Sequence, residues 1–388
     1  MPSSSGERLR ALDGLRGVAA VVVLIHHSLL INPTLAAPYA DLKANQSSGS
    51  WEWWITYTPL HLLWEGTAAV YVFFILSGIV LALPVLRSAG QFNWRAYFPQ
   101  RLIRLYAPVW GAVALAVATF WISPRTAEMP SVWIEQRPVA VTGGEVLRDL
   151  TLVTGNGGLA SPLWSLQWEI LFSLLLPIYI WFALKLRGHP LIAVAGCLLL
   201  IAVGGALHAV RFLPMFAIGV VLAVALPELT SVATRFSSGK SANMRWFLLT
   251  ALGALMLSSH WLVAPLNPAP IVQRGLIAVT VGGALVFVLA ALFWHSAKQA
   301  LESPVVQWLA KISFSLYLVH EPIVLACAFF LGPGREPLAT LVSLPLAVML
   351  SYLFYLAIER PSHRLARAVR RFLLKRAALD AEDRSVAA

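Results

Sequence analysis

Apolar residues in this chain come in long, nearly unbroken runs. They do not alternate as in a half-buried strand, nor form the one-sided stripe of a surface helix. A membrane-spanning helix needs roughly 20 mostly apolar residues, because the hydrocarbon is about 30 Å thick and each residue rises about 1.5 Å. About ten runs meet that measure: 12–31, 66–86, 103–123, 163–184, 190–208, 212–227, 246–264, 275–294, 312–331 and 338–358. Only Ala209–Arg211 separates the fifth from the sixth. The pattern predicts an all-α fold, a polytopic transmembrane helix bundle. Two long segments interrupt it, Asn32–Glu65 and Pro124–Ser161, the second carrying the turn signal Gly155-Asn156-Gly157-Gly158. No period of roughly 20–50 residues repeats.

Composition agrees. Of 388 residues, 59% are hydrophobic and 12% charged, whereas soluble domains carry about a quarter charged. That excludes a soluble globule and, with so much apolar content, a disordered chain. Two cysteines, Cys197 and Cys327, both inside runs, exclude a disulfide scaffold and offer no metal-ligand spacing.

The net charge of +11 is unevenly placed. With the N-terminus inside, the outer segments keep only Lys43, Arg125, Arg137, Arg148, Arg211, Arg274 and Arg335 of the 29 Lys and Arg. The positive-inside rule then puts both termini in the cytoplasm, in a multi-pass protein of the cell membrane. Residues 1–364 read as one transmembrane domain and 365–388 as a basic cytoplasmic tail. The basic stretch Arg360–Arg376 suits anionic membrane lipid better than nucleic acid, for which no zinc spacing or stacking motif is present. Arg8 and Arg10 before an apolar run, with Leu35-Ala36-Ala37 beyond it, imitate a signal peptide. Asp13, Arg16, His26 and His27 inside that run favour a retained helix.

Ionisable residues within spans face a protein interior or cavity, so they mark candidate chemistry. In the first span Arg16 and His27 are 11 residues apart, about 20° from the same face and about 16 Å along the axis. A snorkelling arginine and a hydrogen-bonded core histidine would give the same spacing. Arg101 and Arg104 share a face at the expected start of the third span, where a helix N-terminus favours anions. A positive-inside stop is the plainer alternative. Ser161-Pro162 reads as the start of the fourth span, followed by Trp164, Ser165 and Glu169, whose carboxylate needs an Arg or His partner. The ninth span carries His320-Glu321-Pro322. Trp51, Trp53 and Trp54 in the first outer segment form either an interfacial belt or a platform on which a sugar stacks.

Taken together, these residues resemble the membrane-bound acyltransferase family 3. The resemblance rests on Arg16 and His27, separated by ten residues, and on Val70-Tyr71-Val72-Phe73-Phe74-Ile75-Leu76-Ser77-Gly78. It includes Arg101-x-x-Arg104, Trp164-Ser165-Leu166 with Glu169, Tyr317-Leu318-Val319-His320-Glu321-Pro322, and Glu359-Arg360-Pro361. Departures are the absence of an acidic residue in Ala68-Ala69-Val70-Tyr71 and Phe314 where tyrosine is common.

The resemblance implies transfer of an acyl group, acetyl foremost, from cytoplasmic acyl-CoA to a hydroxyl of an envelope carbohydrate or glycolipid. In that scheme Arg16, Arg101 and Arg104 hold the CoA phosphates, and His27 is base or acyl relay with Glu169 and His320. Trp51, Trp53, Trp54, Trp164 and Ser165 receive substrate. No metal is implied. Small-molecule acceptors such as macrolides, or a lipid or glycan transporter without chemistry, are the competing readings. A homo-oligomer or a separate extracytoplasmic partner chain stays open.

Overall fold

A computed structural model describes residues 5–42, 44, 49–88, 90–125, 129–204 and 207–387, with side chains from Arg10 to Asp380. Lys43, counted above among the outer charges, lies outside the described residues, as do the side chains of Arg8 and Arg384. Regular structure among the described residues is helical throughout.

Helix α1 (Ser5–Leu29) leads through short α2 (Pro33–Ala40) and α3 (Trp51–Tyr57) to α4 (Gly66–Arg87) and α5 (Trp94–Ile122). The second long connection folds into α6 (Val132–Glu135) and α7 (Gly143–Thr151). Then come α8 (Leu163–Lys185), α9 (Pro190–Val203), α10 (His208–Val224) and α11 (Leu226–Phe236). They are followed by α12 (Ala242–Leu257), α13 (Ser259–Val263), α14 (Pro270–Phe293), α15 (His295–Leu301) and α16 (Pro304–Leu331). Finally α17 (Glu336–Phe354) and α18 (Arg360–Ala387) are joined by a π-helical turn, Tyr355–Glu359.

Among the described residues, seven of these helical runs are long and apolar enough to cross a membrane. Two more crossings are available if each bent pair counts once: α10 with α11, bent by 77°, and α12 with the segment from Ser259 to Leu266, bent by 63°. The fifth expected run, 190–208, breaks at Gly204, leaving α9 with 14 residues, about 21 Å of helix. That is too short for the hydrocarbon, so the ten expected spans become seven to nine. Apolarity alone does not reveal where the backbone bends. Large apolar side chains such as Trp121, Leu191 and Phe330 lie exposed on the outside of the bundle, as lipid solvent permits. The chain is a polytopic membrane protein.

Small residues set the tightest crossings, as expected where lipid supplies no hydrophobic drive between helices. At Gly78 of α4 an added Cβ would lie 2.2 Å from the Phe216 carbonyl oxygen of α10. At Gly219 of α10 it would lie 2.1 Å from that of Ile75. Helices α1 and α16 run side by side, with Gln307 Nε2 donating to the Arg10 carbonyl (2.8 Å). Their pairing positions the chemistry described next.

Candidate functional site

The arginine-rich end of the bundle holds a cavity of about 410 Å³, within the roughly 300–1,000 Å³ common for small-molecule sites. Five of the candidate site residues line it: Arg16, Arg101, Arg104, Ser165 and Glu169. Lys311, Tyr317, Glu359 and His363 join them.

The three arginines differ in their commitments. Arg101 Nη2 forms an ion pair with Glu169 Oε1, and its Nε donates to Ser173 Oγ at 3.1 Å. Arg101 is therefore the partner that Glu169 requires. Arg16 lies 3.7 Å from Asp13. Among the described residues, Arg104 makes no hydrogen bond or ion pair, and it borders the cavity with its guanidinium donors uncommitted.

One expectation is corrected. Helix α5 begins at Trp94, where Asn93 Oδ1 caps the Ala96 N–H at 2.9 Å. Arg101 and Arg104 thus lie about two and three turns inside, and Pro99 belongs to the helix interior. Whatever anion affinity these residues have comes from guanidinium charge, not from free N–H groups at a helix start.

Glu359 reaches the same cavity through the π-helical turn. Its Oε2 accepts from the Ser315 N–H (3.1 Å) and Oγ–H (2.5 Å), and His363 lies 3.8 Å from its other oxygen. The sequence reading treated Glu359 as a family mark only. An extra residue in a helical turn has no hydropathy signature.

His27 and His320 do not line this cavity. They meet each other, with His27 Nδ1 2.7 Å from His320 Nε2. The Leu316 carbonyl accepts from His320 Nδ1 at 2.8 Å, and a carbonyl only accepts, so that nitrogen carries the proton. In a neutral ring Nε2 then bears a lone pair and accepts a hydrogen bond from His27 Nδ1–H. His27 Nε2 is left as a free lone pair on a half-buried ring. His320 is completely buried.

The second long connection closes over the pair. Trp133 of α6 stacks on His27, with ring centroids 5.4 Å apart and planes 19° from parallel. The Arg137 guanidinium sits 4.9 Å from the Trp133 ring and 2.8 Å from Glu321 Oε1. Its Nε–H points off the line to that oxygen, so the contact is an ion pair more than a hydrogen bond. Ser161 Oγ donates to Glu321 Oε2 at 2.5 Å. Ser161-Pro162 was expected to start α8, but that helix begins at Leu163 without a side-chain cap, and the Ser161 hydroxyl serves Glu321 instead.

In the same connection Asp149 is buried and accepts from the backbone N–H groups of Gly157 (2.5 Å) and Leu159 (3.1 Å). Burial pushes its carboxyl up to about 6, against the pull of the Gly157, Leu159 and Ala160 N–H groups. Trp133, Arg137 and Asp149 had no periodic signal to betray them.

The tryptophans divide. Trp51 and Trp54 of α3 are exposed, Trp53 packs edge-on to Trp54 at 5.3 Å, and none of the three lines the cavity. Trp164 packs against Phe74 and Phe212 behind the cavity wall. Among the described residues no three His, Cys, Asp or Glu gather as a metal site, and both cysteines are free thiols.

A family model described as an acyltransferase domain matches residues 9–356. The chain belongs to the membrane-bound acyltransferase 3 family. No curated protein and no solved structure matches the chain significantly. The family match covers both the histidine pair and nearly all of the cavity wall. Glu359 and His363, which complete that wall, lie just beyond it. Family membership implies an acyltransferase-type activity in the membrane.

Proposed function

We propose that this protein moves an acyl group, acetyl foremost, from cytoplasmic acyl-CoA to a hydroxyl of an envelope carbohydrate or glycolipid, with His27 as general base. The observation that carries the proposal is the orientation of the histidine pair. His320 holds the Nδ1 proton of His27 and leaves Nε2 free to accept one, the form a base needs near neutral pH.

In this reading the donor enters at the arginine-rich end, where charge-assisted hydrogen bonds suit its phosphates. Arg104, Arg16 and Lys311 bind them, while Arg101 spends its charge on Glu169. The extended arm of the donor carries the thioester toward His27, about 16 Å along α1 from Arg16. The acceptor comes from the opposite side, where Trp133 and Arg137 border His27. Its hydroxyl oxygen attacks the thioester carbonyl as its proton passes to His27 Nε2. The C–O bond forms, the C–S bond breaks, and the departing thiolate takes that proton, leaving an ester and free thiol.

Purified protein in proteoliposomes, supplied with radiolabelled acetyl-CoA and envelope glycolipid extract, tests this directly. Label should appear in base-labile esters with stoichiometric thiol release. In cells, deletion of the gene followed by NMR of envelope glycans should show loss of an ester. Movement of glycolipid across the bilayer with no ester formed would favour a transporter.

A further inference from the structure

The histidine pair does not line the arginine-rich cavity, and Tyr317 lies beside both. Tyr317 of α16 lines the cavity, and its ring lies 6.1 Å from that of His320, one turn further along. Its ring is buried and packs edge-on against Phe73 of α4 at 5.4 Å.

The Tyr317 hydroxyl is tied to α8. It lies 2.6 Å from Ser165 Oγ and 3.2 Å from the Pro162 carbonyl oxygen. Ser165 Oγ is itself 3.0 Å from that carbonyl. Whichever hydroxyl donates to the other, both protons are consumed within this triangle. The ring is thereby held between the cavity and the His320 ring.

We propose that Tyr317 is a movable partition: latched to Ser165 and Pro162 it shuts the histidine pair off from the arginine-lined cavity, and it swings aside when the donor thioester passes. Tyr317 is a positioning residue, because it controls access without taking part in the proton transfer. The inference rests on the acyl-transfer reading for its purpose, though not for its test. The net value of a typical hydrogen bond shifts an open–closed equilibrium roughly two- to tenfold. Removing the Tyr317 hydroxyl should therefore raise the open fraction by about that factor.

The test uses full-length protein carrying His27→Cys, with Cys197→Ser and Cys327→Ser, in oriented proteoliposomes. A charged methanethiosulfonate is applied from the arginine-rich side. Adding Tyr317→Phe should speed labelling at position 27 roughly two- to tenfold, and Tyr317→Ala should speed it further. In the unmodified His27 background, Tyr317→Phe should lower the KM for acyl-CoA by up to the same factor, because the competent fraction rises. A merely structural tyrosine would raise KM or leave it alone. If Tyr317→Phe protein, monodisperse and with an unchanged melting temperature, labels at the parent rate, the partition is overturned, even should Tyr317→Ala fail to fold. Labelling needs no turnover. Absence of thioester cleavage by the unaltered protein would instead count against the acyl-transfer reading.

Discussion

A single hydrogen bond from His27 Nδ1 to His320 Nε2, 2.7 Å long, decides which nitrogen of His27 is basic. The decision starts at the Leu316 carbonyl, which holds His320 Nδ1–H, and passes through two rings to His27 Nε2. Positioned bases contribute about 10²–10⁴-fold, so His27→Ala should reduce kcat by at least ~10²-fold. His320→Ala frees the His27 tautomer and ring angle, and misplacement of this kind costs on the order of 10²-fold. His320→Gln, whose amide oxygen can still accept from His27, should retain more activity than His320→Ala. Initial rates at saturating acyl-CoA measure this; wild-type kcat in His320→Ala would refute the relay of tautomers.

Arg101 and Arg104 look equivalent in the sequence, yet only one is free. Their side-chain environments predict a division of effect. The Arg101–Glu169 pair is mostly enclosed, with side chains 12% and 23% exposed. Breaking a fully buried pair costs about 3–5 kcal/mol. Partial solvation reduces that here, and Arg101→Ala or Glu169→Gln should each destabilise by about 2 kcal/mol. Replacing both by apolar residues should recover most of the loss. Arg104→Ala should leave stability nearly unchanged and raise the KM for acyl-CoA about tenfold or more, the value of a hydrogen bond to a charged group. Thermal unfolding in detergent and donor titrations separate the two outcomes.

This contrast also marks what the sequence could disclose. That Arg16 and His27 share one helix was legible because an apolar run of this length reads as a single span. Glu169 announced its need for a cationic partner because a lone carboxylate does not persist in a span. Which cation answers was hidden, since hydropathy does not say which helices are neighbours. Helix α5 begins earlier than its apolar run suggests, because the mixed stretch from Trp94, interrupted by Arg95, Pro99, Gln100 and Arg101, is helical too. The contacts of Trp133, Arg137 and Ser161 were hidden for a different reason. These residues come from a connection whose fold depends on what it covers, not on any period of its own.

The α4–α10 crossing yields a third prediction. Gly78 and Gly219 face each other across backbones so close that a methyl group on either meets a carbonyl oxygen near 2 Å. Both contacts are with backbone, which cannot rotate away as a side chain would. Overpacking generally costs about 1–3 kcal/mol, and Gly78→Ala should fall at or above the upper end of that range. Gly196, with open space around its added Cβ, is the control, and Gly196→Ala should be neutral or slightly stabilising. Melting temperatures of the two variants in one detergent decide it. Equal losses would mean that the crossing tolerates separation.

A last prediction concerns pH and the connection that covers His27. Asp149 anchors residues 157–159 through their N–H groups, and burial pushes its carboxyl from an ordinary 3.8 up to about 6. When this segment opens, Asp149 returns to water and to its ordinary value. Between about pH 4 and 6 the closed form therefore holds a proton that the open form releases. Closure is favoured most at the acid end of that window and weakens as pH rises through about 6. Hydrogen exchange across residues 152–161, corrected for intrinsic rates, should show greater protection at pH 5 than at pH 7.5. Asp149→Asn cannot titrate. It keeps one carbonyl acceptor for the loop, so its protection should vary little between those two pH values. An Asn variant with the wild-type pH response would assign the effect to another group.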